Sequence, residues 1–315
     1  MHGIINIYKE RGFTSFDVVA KLRGITHVKK IGHTGTLDPD AEGVLPVCIG
    51  NATALCDMLT DKTKEYEAVM RLGITTDTQD ISGTLLKETD VNLSEADVVS
   101  CMDKFTGDIE QVPPMYSAIK VGGKKLYELA RQGKTVERSP RPVTIHSIEI
   151  LSMDLPRVRM RVSCSKGTYI RTLCHDIGEA LGCGACMESL LRTRSGQFCI
   201  DDAVRLSTVQ EWADEGFLES HLRSVEDMFA DCEEIHVSPE EDKLLHNGNT
   251  LRRRQGTEGL ASRRDGSSVF MSAEEVRHGD GSSVFRVYDS KGVFYGVYEY
   301  DPKRKIYKPY KMFIP

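Results

Sequence analysis

Between Gly32 and Pro46 the chain reads Gly-His-Thr-Gly-Thr-Leu-Asp-Pro-Asp-Ala-Glu-Gly-Val-Leu-Pro, three glycines and two prolines in fifteen residues. That density of breakers is loop chemistry, built to present Asp38. Pro39 disfavours the helical region for Asp38, while Gly32, Gly35 and Gly43 permit dihedrals that other residues resist. The expectation is a carboxylate, Asp38, presented on stiff, extended backbone, with the imidazole of His33 nearby in sequence. An Asp-Pro beside a glycine is on its own an ordinary surface turn. The length of this pattern is what gives it weight.

The segments around the loop carry regular periodicities. Ser15 is expected to cap a helix with Val18, Leu22 and Ile25 on one side, after which Lys29-Lys30 leads into the loop. Residues 64 to 72 alternate as a strand, with Tyr66, Ala68, Met70 and Leu72 on one face. Ser94 and Asp97 form a capping-box pattern ahead of a helix over roughly 95 to 105, and Val121-Gly122-Gly123-Lys124 reads as a hairpin turn. Arg157, Arg159 and Arg161 alternate with Val158, Met160 and Val162, so one face of that strand packs and the other is free to meet phosphates. Gly167 breaks this strand, and Ile170, Leu173, Ile177 and Leu181 at helical spacing imply a helix ending at Gly182. Tyr169 and Arg171 then lie at a strand-to-helix junction, a place from which side chains reach a cleft. After an acidic helical stretch containing Trp212, the pattern shifts near 243 to the short apolar segments Val284–Tyr288, Val293–Tyr298 and Tyr307–Met312, which look like a small β domain. Asp265-Gly266-Ser267-Ser268-Val269-Phe270 recurs as Asp280-Gly281-Ser282-Ser283-Val284-Phe285.

A chain of 315 residues, 40% hydrophobic and 28% charged, suffices for one large core and a smaller one. No run of eighteen apolar residues occurs and the first residues lack the pattern of a signal peptide, so the expectation is a cytoplasmic protein with no membrane partner. The formal net charge of −6 conceals strong segregation: residues 115 to 171 carry twelve basic and four acidic side chains, residues 201 to 242 two basic and fourteen acidic. Phosphate binding depends on local basic faces, so the first of these is a candidate RNA surface despite the negative total. Nine scattered cysteines do not form a secreted disulfide framework. Cys183-Gly184-Ala185-Cys186, with Cys174 and His175 upstream, invites a zinc or thiol-redox reading, but a second paired ligand motif is missing. The preferred reading is a helix closed by Gly182 and Gly184 with thiols as small apolar side chains.

The Gly-His-Thr-Gly-Thr-Leu-Asp-Pro run, with Gly43, Leu45-Pro46-Val47-Cys48-Ile49-Gly50 and Ala52-Thr53, resembles the signature of the TruB family of tRNA pseudouridine synthases. The resemblance extends through Asn6-Ile7-Tyr8-Lys9, Lys64-Glu65-Tyr66, Thr76-Asp77-Thr78, Gln111-Val112-Pro113-Pro114, Tyr116-Ser117-Ala118, Gly167-Thr168-Tyr169-Ile170-Arg171 and Leu190-Leu191-Arg192-Thr193. It implies an α/β catalytic domain of the α+β type over residues 1–240, built on a mixed, largely antiparallel sheet, with 114–142 as a basic RNA-contacting segment. A small β-barrel-like, PUA-like RNA-binding domain is expected over 241–315, opened by Leu245-His246-Asn247-Gly248. An unusual insertion near 252–283 contains the repeat and Arg252-Arg253-Arg254.

The implied reaction converts uridine 55 in the TΨC arm of tRNA to pseudouridine, without cofactor, metal or guide RNA, in a stand-alone enzyme expected to be a monomer. The glycosidic bond breaks, the uracil turns, and carbon 5 bonds to the same sugar carbon. By its motif position Asp38 is the catalytic carboxylate, either attacking the anomeric carbon or removing a sugar proton to give a glycal. Arg171 corresponds to the arginine that pairs with the aspartate and keeps it ionised. Tyr66 is implied as the platform on which an extruded uracil stacks, with its phenol available as a general base. Tyr169 and Leu190 resemble the other pocket walls, His33 the histidine that enters the RNA loop, and Lys9 a lysine near the active site, all in the substrate-binding set. Tyr8-Lys9-Glu10-Arg11 departs from the commoner Asp-Lys-Pro, so the role of Lys9 is open. A rival of another class is an RNA-folding helper in which catalysis is secondary.

Overall fold

The computed structural model describes residues 1–252 and 284–314. Its centre is a nine-stranded sheet. From one edge the strands run Gly3–Lys9, Glu42–Ile49, Ala185–Ser195, Lys64–Leu72, Arg157–Cys164, Arg141–Asp154 and Gly107–Gln111, with Ile31–His33 added to Glu42–Ile49 and Phe198–Cys199 to Ala185–Ser195. Neighbours are antiparallel except Glu42–Ile49 and Ala185–Ser195, which meet in parallel over only Leu191↔Glu42 and Arg192↔Gly43. The mixed, largely antiparallel sheet is as expected.

Alternation in Lys64–Leu72 is strict: Lys64, Tyr66, Ala68, Met70 and Leu72 are buried. With Val158, Met160 and Val162 of the neighbouring strand they pack against Ile170, Leu173 and Ile177 of the Ile170–Ala180 helix and Val98 and Met102 of the Glu95–Met102 helix. Each such apolar side chain removed from water contributes about 1.5–3 kcal/mol, enough to seat the helix carrying Arg171 firmly on the sheet. A second cluster joins Ile5, Ile7, Val47 and Ile49 to Val18 and Leu22 of the Ser15–Thr26 helix and Val209 of the Leu206–Asp214 helix.

Three expectations change. The N-cap of the first helix is Thr14, not Ser15; it closes a capping box with Asp17. Ser15 is buried, and its hydroxyl accepts from the Leu37 amide at 2.9 Å, holding the start of the Asp38 turn. Gly32 does not adopt a positive φ, whereas Gly35 (φ 142°) and Gly43 (φ 104°) do. At Gly43 a Cβ would also overlap the Arg192 carbonyl, so only glycine permits the parallel seam. Finally, the arginine face of Arg157–Cys164 is not free for phosphates. Arg159 and Arg161 share Glu67 (2.7 and 2.9 Å), Arg161 also meets Glu149 (2.8 Å), and Arg157 meets Glu188 (2.9 Å). Cross-strand neighbours answer every one of these charges.

The smaller sheet orders its strands Glu233–His236, Val284–Tyr288, Phe294–Asp301, Ile306–Met312 and Leu251–Arg252. Val284, Val297 and Phe313 share a buried cluster with Ile4, Leu55, Met228 and Phe229, so it packs directly on the larger unit. The DGSSVF repeat up to Ser283, Arg253, Arg254 and most of the expected insertion lie outside the described residues. Cys174, Cys183 and Cys186 are buried free thiols. Among the described residues no helix is long and apolar enough to cross a membrane.

Candidate active site

The chain turns sharply at Asp38. Its carbonyl accepts from the Ala41 amide at 3.1 Å, with Pro39 in the second position of the turn, where a fixed φ suits it. Three neighbours clamp the turn: Ser15 on Leu37, the Gly12 amide on the Pro39 carbonyl (2.9 Å), and Lys9 from below. Lys9 is fully buried; its ammonium donates to the carbonyls of Ala41 (2.6 Å), Glu10 (3.1 Å) and Pro39 (3.2 Å). Read from sequence as a substrate-binding residue, Lys9 instead has its donors taken by backbone, and it braces the loop. Burial drives its pKa down to about 8, against the pull of Glu42 and Asp38.

Arg171, one residue into the Ile170–Ala180 helix, reaches the carboxylate across the cleft. Its Nη2 lies 3.1 Å from Oδ2 and 3.3 Å from Oδ1 of Asp38, and donates to the Tyr116 carbonyl at 2.7 Å. The Arg171 side chain is 7% exposed and that of Asp38 40%, so the guanidinium forms the inner wall and the carboxylate keeps a side open to solvent. Burial raises the Asp38 pKa, Arg171 pulls it back, and the carboxylate of Asp80 raises it again. The arginine thus offsets a desolvation that would favour the protonated, unreactive acid.

Asp80 is a site residue that reading the sequence missed. Its Oδ2 stands 3.6 Å from Nη1 of Arg171, while Oδ1 accepts from the hydroxyls of Ser82 (2.6 Å) and Thr78 (3.0 Å). Arg171 therefore bridges two carboxylates, one open to solvent and one anchored. The dense Thr-Asp-Thr-Gln-Asp run was the available signal, but sequence does not reveal that the run folds back onto Arg171. Gln111 was also missed as a functional residue: its side-chain amide donates to the Tyr169 carbonyl (3.2 Å) and its oxygen accepts from the Tyr169 amide (3.0 Å). That clamp fixes the residue just before the helix, where no side chain of the helix itself caps the end.

Tyr66, buried on its strand, and Tyr169, half-buried, both lie within reach of the Asp38 charge, and burial raises both phenols. Leu190 is partly buried, pairs with Ala68 beside Tyr66, and packs on the cluster that contains Leu37 and Tyr66. His33 sits on the short strand before the loop; burial, reinforced by Arg192, lowers its pKa and favours a neutral ring whose Nδ1 accepts from the Gly35 amide at 3.3 Å. Asp38, Tyr66 and the neighbouring Tyr169 and Arg171 are thus brought together from three segments, with Lys9 beneath and His33 and Leu190 on the flanking strands. An open groove of about 850 Å³ lined by Phe13, Lys21, Ile25, Leu206 and Gln210 is separate from this group, and Asp38 does not line it.

Residues 23–170 match the TruB family pseudouridylate synthase N-terminal domain, and residues 171–230 the tRNA pseudouridylate synthase B C-terminal domain. The chain is 53% identical to tRNA pseudouridine synthase B of Lachnoclostridium phytofermentans over 100% of both proteins, and 43% identical to that of Clostridium perfringens over 96% of each. Among solved structures it is similar to a Cbf5–Nop10–Gar1 complex, with TM-score 0.69 and 26% identity over 99% of this chain and 85% of that one. An H/ACA RNP bound to a substrate RNA containing 2′-deoxyuridine shares the fold at TM-score 0.67 and 24% identity, covering 99% and 85%. With both family models and its full-length relatives in agreement, the chain belongs to the TruB family of pseudouridylate synthases.

Proposed function

We propose that the protein is a tRNA pseudouridine synthase that isomerises uridine 55 of the TΨC arm, with Asp38 as its catalytic carboxylate. The observation that carries this reading is the Asp38–Arg171 pair, a solvent-reached acid on a buried guanidinium. A reacting ribose needs an ionised oxygen at its anomeric carbon, and the geometry supplies one whose charge is supported from behind. As the C1′–N1 bond breaks, its electron pair leaves with the uracil; Asp38 either bonds to C1′ or takes the proton from C2′. The uracil then turns, C5 bonds to C1′, and the C5 proton departs, with the Tyr66 phenol the nearest candidate to receive it. Tyr66, Tyr169 and Leu190 form the walls for the extruded base, and His33 fills the space it leaves in the RNA. The basic segment 114–142 and the PUA-like domain over 241–315 contact the RNA.

The enzyme acts in the cytoplasm as a monomer on tRNA alone, without a guide RNA. Gly43-Val44-Leu45-Pro46 follows the stand-alone form of the motif, and the full-length relatives carry tRNA pseudouridine synthase names. Incubation with an unmodified tRNA transcript and mapping at nucleotide resolution tests this: pseudouridine at position 55 is expected from the protein alone. Product at another position, or only with added guide RNA, overturns the substrate assignment. Asp38→Asn is expected to lower turnover by more than about 10³-fold with tRNA affinity nearly unchanged. A variant that kept full activity would falsify the role of Asp38.

A further inference from the structure

Arg192 lies at 1% exposure, one of the largest completely buried side chains among the described residues. Its Nε donates to the Val44 carbonyl at 2.6 Å and its Nη2 to the Gly35 carbonyl at 3.2 Å. Both acceptors are neutral, and no carboxylate pairs with this guanidinium among the described residues. The neighbouring buried cations, Lys9 and Lys64, add to the positive charge instead of balancing it. A buried cation answered by neutral groups and no carboxylate costs several kcal/mol of desolvation, and such a cost is retained where another demand is met.

That demand is visible in the register. Arg192 stands directly opposite Tyr66 across the antiparallel pair, and the two side chains interact. On the other side its Nη2 holds the Gly35 carbonyl, three residues ahead of Asp38. One guanidinium therefore interacts with the side chain on which the uracil is proposed to stack and holds the loop that carries the acid. In the reaction, breaking C1′–N1 places the electron pair and a full negative charge on the departing uracil. Asp38 and Arg171 act on the sugar; nothing assigned so far stabilises the base as it leaves.

We propose that Arg192 is a positioning residue acting through Tyr66, which holds that side chain against the Asp38 loop and supplies, beside it, positive charge that opposes the charge developing on the departing uracil. This rests on the reading that the uracil stacks on Tyr66. Preorganised charge at a dry site opposes charge that develops in the transition state more than charge already present in the ground state, so the effect belongs in kcat and not in KM.

The test uses the full chain with two tRNA transcripts, one carrying uridine and one 5-fluorouridine at position 55. Fluorine stabilises the base anion on its own, so a leaving base that needs less help should feel the loss of Arg192 less. Glycosidic cleavage by Arg192→Met is expected to fall about 100-fold for uridine and about tenfold for 5-fluorouridine, with tRNA binding preserved. Arg192→Lys, which keeps the charge, should restore most of the uridine rate and the wild-type ratio between substrates. If Arg192→Met does not fold, Arg192→Gln, which keeps one donor for the Val44 carbonyl, carries the same comparison. Equal losses for both substrates, or a lysine variant as poor as methionine, overturn the proposal and leave a packing role. Tyr66→Leu separates the two readings: full activity in that variant removes the stacking platform itself, whereas inactivity together with equal losses at Arg192 removes only the charge assignment.

Discussion

Arginine–carboxylate contacts on the large sheet and in the Asp38 cleft have opposite consequences. On the sheet's solvent face Arg159 and Arg161 grip Glu67 at 2.7 and 2.9 Å, closer than Arg171 grips Asp38 at 3.1 Å. Yet the arginines of that face are 38–56% exposed against 7% for Arg171. Water and salt screen the first group, so its short distances bring little; the second is sheltered, so its longer contact controls an ionisation. Distance alone does not rank ion pairs; the surrounding dielectric does.

Several substitutions sharpen or break this contrast. Arg171→Gln should have the largest effect, lowering kcat about 10²–10³-fold. It should also shift the pH profile: burial already raises the Asp38 pKa and Arg171 opposes it, so losing the guanidinium raises it further. Activity that depends on the ionised acid is then lost at a higher pH on acidification than in wild type; an unmoved acid limb of the kcat profile would count against this coupling. Asp80→Asn leaves the pair intact but frees Nη1 of Arg171, and a fall of about tenfold in kcat with KM unchanged is expected from single-turnover kinetics.

Lys9→Met should act on stability first, costing about 1–3 kcal/mol in denaturant unfolding because loop carbonyls lose their donor. Here the pKa shift is downward and the pH effect falls on stability. The folded-state pKa of about 8 lies below the ordinary 10.5, so between these values the unfolded chain holds a proton that the native one has released, and wild-type stability rises with pH. The variant should lack that rise. The smallest effect is expected from Arg159→Ala with Arg161→Ala, which should move the melting midpoint by no more than about 3 °C and leave kcat untouched. A large loss there would mean that the outer ladder, too, is sheltered.

Local patterns were well read from sequence. The alternation of 64–72, the capping box at Ser94 and the Gly122-Gly123 hairpin rest on contacts between near neighbours, and all occur in the structure. The loop at Asp38 was legible because proline and glycine act on their own backbone, although its last residues, Gly43 to Pro46, belong to the Glu42–Ile49 strand. What escaped was non-local: Gln111 clamps Tyr169 58 positions away, and Arg192 reaches Gly35 over 157. The arginine face of 157–163 misled for the same reason, since its partners Glu67, Glu149 and Glu188 come from three other strands. Thr14 displaced Ser15 as the cap because Ser15 was needed inward at Leu37.

The two-residue parallel seam at Glu42–Gly43 and Leu191–Arg192 joins an early half of the polypeptide, which owns the acid, to a late half, which owns the guanidinium 133 positions downstream. During synthesis Asp38 emerges long before its counter-charge exists. Until the Ile170–Ala180 helix docks, the acid lacks the guanidinium that supports its charge. Formation of the pair thereby reports that the two halves of the large sheet have closed on each other.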